Sequence, residues 1–164
     1  MSVGAGCADG GFEGIRESVL GAEDRGEIVD TYDRGIEQLN DANRARDDGV
    51  VAFNEERYDD ALGALETSID RYTDAGASFR DAESMAETAD VPPAAGICAE
   101  AAIHAETMEA STVEAREGVT AADAGESAAV INGHIETAKE LQAEADESAV
   151  ADPETLLDVL EADG

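Results

Sequence analysis

Between Ala61 and Ala86 the small or apolar residues Ala61, Leu65, Ser68, Tyr72, Ala75, Phe79, Ala82 and Ala86 follow one another at spacings of four and three, without a break. That spacing constrains the fold more than any other feature of the chain. A 4-3 repeat keeps one stripe of a helix facing its neighbours over many turns, as in coiled coils and bundles. A strand would alternate at every second residue, and a loop would have no period at all. Ala and Ser fill the thin positions of this seam, so the neighbouring backbones must come close. Tyr72 and Phe79 are its bulky knobs.

The same period recurs on both sides. From Glu27 to about Asn54 the stripe Ile28, Tyr32, Ile36, Leu39, Ala42, Ala45, Gly49 and Phe53 predicts one long helix. Asn54-Glu55-Glu56-Arg57 reads as a polar turn. Asp90-Val91-Pro92-Pro93 ends the second helix, and proline in a first turn suits the start of a third. The third carries Ala94, Cys98, Ala101, Ala105, Met108, Thr112, Ala115 and Val119. Ala124-Gly125-Glu126 reads as the next turn. A fourth helix is expected from Ser127 to Glu147, with Ile131, Ile135, Ala138, Leu141 and Ala145 facing inward. Asp152-Pro153 supplies an N-cap and an N1 proline for a short last helix with Leu156, Leu157 and Leu160 on its apolar face. Ahead of all this, Phe12, Ile15, Val19 and Leu20 mark a short amphipathic segment, punctuated by Gly21 and Gly26. The expected fold is all-α: an elongated, antiparallel, up-down-up-down four-helix bundle of two long hairpins, with short N- and C-terminal helices. Its parts are a flexible Gly-rich start (1–11), the bundle (12–148) and a C-terminal linker with a capping helix (149–164).

Composition enters where it competes with this reading. Leu, Ile, Val and Phe together number 30 of 164 residues, and the formal net charge is −30. Few large apolar residues with high charge are the mark of disorder. The seams argue otherwise, because a disordered chain has no reason to hold a helical period over seventy residues. The charge itself, 40 acidic against 10 basic residues, opposes a compact state in dilute buffer. In about molar salt the screening length falls to roughly 3 Å and the repulsion nearly vanishes. The surface is therefore read as adapted to a salt-loaded cytoplasm or brine. It argues against nucleic acid as a partner, since no basic patch exists to neutralise phosphates. No run of apolar residues reaches the length of a membrane span.

A shift of 69 residues lays Ile28 on Ile97, Leu39 on Met108, Gly49 on Gly118, Val50 on Val119 and Ala52 on Ala121, a faint internal repeat of one helical hairpin. Within the first hairpin, Gly49-Val50-Val51-Ala52-Phe53 followed by Tyr58, Ala61 and Leu65 resembles the middle of a tetratricopeptide repeat. The resemblance covers about 30 residues; Ser68 stands at the later small position and the closing proline is missing. It implies a helical hairpin and, beyond that, a peptide-binding role. The acidic, Ala-rich pattern as a whole resembles uncharacterised helical-bundle proteins of haloarchaea.

Chemistry-bearing residues are few. A ferritin-like di-metal centre needs Glu-x-x-His on two helices. Ala101 and Ile131 stand three residues before the two histidines, His104 and His134. Folding helices three and four back at residue 124 sets His104 opposite residue 144 and His134 opposite residue 114, several turns apart, as hydrogen-bonded boundary residues. Glu100 lies one turn from His104, but two ligands do not make a zinc site. Cys98 sits on the seam among Ala residues, where a small thiol packs well, and no Cys-His dyad forms nearby. Nearly all the carboxylates read as a solvated face; Glu66 with Asp70, or Glu37 with Asp41, one turn apart, can hold a cation weakly. No catalytic residue, cofactor or metal is expected. Two interaction features remain. Val3-Gly4-Ala5-Gly6-Cys7-Ala8-Asp9-Gly10-Gly11 is similar to the end of a lipoprotein signal without its preceding apolar region, with Cys7 as the lipidation candidate. Leu156, Leu157 and Leu160 can dock into a partner groove or cover the open end of their own bundle. The expected function is non-enzymatic: protein–protein interaction or self-association in high salt, in the cytoplasm of a halophilic archaeon. The alternatives are a lipid-anchored protein at the outer cell surface and a metal-binding bundle.

Overall fold

The structure, a computed structural model, describes residues 21–162, five helices and, among them, no strand. The helices are α1 (Ala22–Asn54), α2 (Tyr58–Thr88), α3 (Pro92–Asp123), α4 (Ala128–Ala145) and α5 (Pro153–Ala162). α1 to α3 have 33, 31 and 32 residues, so each spans roughly 50 Å. They run antiparallel, each packed on the one before, and α4 packs back on α3. The fold is an all-α bundle. The amphipathic segment at residues 12–20 lies outside the described residues. Gly26 does not interrupt the chain: it is interior to α1, which begins at Ala22 with Asp24 accepting from the Gly21 backbone N–H at 3.3 Å.

Three helices stop by the same device. Glu56, Asp90 and Gly125 take the left-handed conformation, with φ of 58°, 59° and 69°. The next residue's N–H then donates to a carbonyl five residues back: Arg57 to Ala52 (2.9 Å), Val91 to Ala86 (3.0 Å) and Glu126 to Ala121 (2.9 Å). These bonds satisfy carbonyls that the helix end would leave orphaned. Pro92 then opens α3, where its missing N–H costs nothing.

All eight seam residues of α2 and all eight of α3 are buried. On α1 the buried stripe differs from the expected one. It runs Ile28, Tyr32, Gly35, Leu39, Ala42 and Gly49, while Ile36, Ala45 and Phe53 are only half-buried. Gly35 is on the seam because the Phe79 ring occupies the space above it: a Cβ there would stand 2.6 Å from Phe79 Cε1.

The fourth side of the bundle is shorter than a second long hairpin would make it. α4 has only 18 residues and fully buries only Ala138 and Ala145, leaving Ile131, Ile135 and Leu141 half-buried. No Cα of α4 comes within 8 Å of one in α1. Beyond Ala145 the chain crosses to α5, which lies against α1 and α3 and completes the side that α4 leaves short. The core is accordingly divided. One apolar cluster joins Ile28, Tyr32, Phe79 and Cys98 to Leu156 and Leu160 of α5. A smaller one joins Ala52, Leu65, Val119 and Ala138.

Candidate functional site

Where the two clusters meet, a layer of polar side chains crosses the bundle. Ser68 on α2 donates to the Ala42 carbonyl of α1 at 2.8 Å, and Ser111 on α3 donates to the Ala138 carbonyl of α4 at 2.7 Å. Both hydroxyls are fully buried. Thr112 returns its hydroxyl to the Met108 carbonyl one turn back. The Tyr72 phenol donates to Asn43 Oδ1. Burial pushes its pKa up to about 12, against the pull of the nearby Arg46 charge. Arg46 reaches from α1 to α4 and donates from Nη2 to Gln142 Oε1 at 2.8 Å.

Arg46 was missed in the sequence because it is charged. Its position carries the signal: Ile28, Tyr32, Gly35, Leu39, Ala42, Arg46, Gly49 and Phe53 form an unbroken 4-3 series. Read that way, a guanidinium stands at a seam position. Its Nε is buried and has no partner. The ion pairs of the other arginines, such as Arg80 with Glu83 and Glu106, are at the surface. No carboxylate among the described residues comes within 4.0 Å of Arg46. The residue as a whole is half-buried, so the cost falls on Nε, a buried donor left without an acceptor.

The histidines stand where the hairpin register sets them. His104 Nδ1 is 2.8 Å from the Ala145 carbonyl, which requires the proton on Nδ1, and His134 Nδ1 is 2.9 Å from Glu114 Oε2. They do not converge. Among the described residues no three His, Cys, Asp or Glu side chains are grouped to hold a metal ion. Cys98 is fully buried, and burial raises its thiol pKa to about 12. It is therefore a poor nucleophile at neutral pH.

Leu156 and Leu160 are fully buried against α1 and α3, so in this arrangement they are committed to the chain's own core, and only Leu157 keeps an exposed edge. The crossing to α5 is held at both ends, by His104 on the Ala145 carbonyl and by the Tyr32 hydroxyl donating to the Ala151 carbonyl at 2.8 Å. Cys7 lies outside the described residues. The tetratricopeptide-like segment forms the end of the α1–α2 hairpin. Gly49 admits Leu65 there, since a Cβ would stand 2.8 Å from Leu65 Cγ, and the Phe53 and Tyr58 rings face each other at 6.1 Å.

Among the described residues no helix is long and apolar enough to cross a membrane. Compared with known proteins, the chain matches no family model, no curated protein and no solved structure.

Proposed function

We propose that this chain is a non-enzymatic helical-bundle protein of a halophile that acts by association, with a protein partner or with itself. The observation that carries the reading is the incomplete fourth side. α4 leaves Ile131, Ile135 and Leu141 half-buried and Val130 40% exposed, and α1 exposes Val50 and Val51 near its C-terminal end. Apolar surface left uncovered on an otherwise carboxylate-covered molecule favours contact with another apolar face. The hairpin that resembles a tetratricopeptide repeat belongs to the same end of the bundle and supports the same class of function. Light scattering after size exclusion in 2–3 M KCl tests self-association (concentrations set by roughly molar screening). We expect a mass above the 17.0 kDa of one chain, returning to it in Ile135→Asp. A 17.0 kDa species at every concentration would remove self-association and leave a different protein as the partner.

A second reading rests on the sequence around Cys7. The intact mass of protein from its own cells decides it: a chain beginning at Cys7 and carrying lipid places the bundle on an outer surface. A mass matching the full sequence, with or without Met1, removes the anchor.

A further inference from the structure

The layer at Arg46 is rich in donors and poor in acceptors. Gln142 Oε1 accepts from Arg46, and Asn43 Oδ1 accepts from Tyr72, so both amide oxygens are engaged. Neither amide NH2 donates to another described residue, and Arg46 Nε is buried without a partner. An amide NH2 and a guanidinium can only donate. The chain has 40 carboxylates, yet none lies within 4.0 Å of this cation. Asp47, whose charge is felt at Tyr72, is exposed and makes no ion pair with Arg46. Asn43, Arg46 and Gln142 are all half-buried, on the side of the bundle where no Cα of α4 comes within 8 Å of one in α1, so solvent reaches the group.

The geometry points to an anion site: Arg46, with the amides of Gln142 and Asn43, takes a small monovalent anion of the halide or carboxylate class from solution as the counter-ion its own chain withholds. A guanidinium plus two amide donors matches one unit of negative charge and suits a compact ligand.

The test compares full-length wild type with Arg46→Met in urea unfolding, at constant potassium, with chloride replacing gluconate, a bulky polyhydroxy anion. General salt effects act on both chains and cancel in the comparison. We expect the wild-type unfolding constant to fall saturably, by about tenfold, the effect of a ligand at roughly ten times its dissociation constant. Arg46→Met should show less than a twofold change of this kind. An acetate arm separates the sources: an equal response assigns the wider anion class, and a response to chloride alone narrows it to halide. Parallel curves for the two chains would overturn the proposal. Should Arg46→Met not fold, chloride NMR line broadening by the wild-type chain decides. Saturable broadening displaced by bromide supports the site, and its absence overturns it.

Discussion

Gly35 and Gly63 are both interior to long helices, yet the residues around them predict opposite outcomes for the same substitution. At Gly35 a Cβ would stand 2.6 Å from Phe79 Cε1, in a closed part of the core. Gly35→Ala should therefore destabilise by about 1–3 kcal/mol, the range of overpacked cores. At Gly63 and Gly96 nothing lies within 4 Å of the added atom. Alanine there should stabilise by about 0.5–1 kcal/mol each, by restricting the unfolded chain and favouring the helix. Urea midpoints in molar KCl read all three, and a stable Gly35→Ala would show that the Phe79 ring yields. A second residue-scale prediction concerns alkali. Cys98 has its ordinary pKa of 9.0 unfolded and about 12 folded, and Tyr72 goes from 10.0 to about 12. The native state keeps protons that the unfolded chain has lost, so stability is intact below pH 9 and declines as pH rises toward 12. Cys98→Ala should delay the onset of that decline to about pH 10, where the tyrosines begin to contribute. An unchanged onset would mean that the thiol plays no part.

At the scale of elements, α5 is held least. Its docking rests on Leu156 and Leu160 and on the Tyr32 hydroxyl bond to Ala151. Two buried leucines contribute about 1.5–3 kcal/mol each, before the cost of ordering the segment. Leu160→Ala removes about 2–5 kcal/mol, comparable with the whole docking energy. We expect it to release α5 locally, with α1 to α3 still folded. Hydrogen exchange should show α5 amides losing protection, and Cys98 should become reactive to thiol reagents. Uniform loss of protection across all helices would contradict local release. The elements also clarify the faint repeat. The 69-residue shift carries the end of α1, Asn54, onto the end of α3, Asp123, and the left-handed Glu56 onto the left-handed Gly125. It also places Ala42 on Ser111, the two α-helical positions joined to the partner helix by a serine hydroxyl, with donor and acceptor exchanged. Of the two turns, only the second announces itself by a glycine. The first uses Glu56, whose side chain gives no such signal.

For the whole molecule the dominant quantity is charge. At −30 the surface repels itself, and thin Ala-rich seams bury little apolar area to oppose it. Dialysis from molar KCl to millimolar salt should therefore unfold the chain, seen as loss of helical circular dichroism. Full helicity at low salt would contradict a halophilic surface. Few of the acids lose charge to pairing, because the chain has only ten basic residues. Exposed pairs such as Arg44 with Asp41 contribute at most about 1 kcal/mol each.

The sequence by itself determined the helices and, on α2 and α3, their inward faces. A 4-3 period is a local property, and every seam residue read on α2 and α3 is buried. It also placed the histidines, because a hairpin register follows from where the turn falls. Tertiary structure alone decided how the fourth side closes. α4 stops at Ala145, and whether Leu156 and Leu160 face a partner or their own core depends on a groove made by α1 and α3, which are far away in sequence. It also decided the Arg46 layer. Hydrophobic periodicity treats a charged residue as surface, so an arginine on the seam is invisible until its neighbours from the other helices are in place.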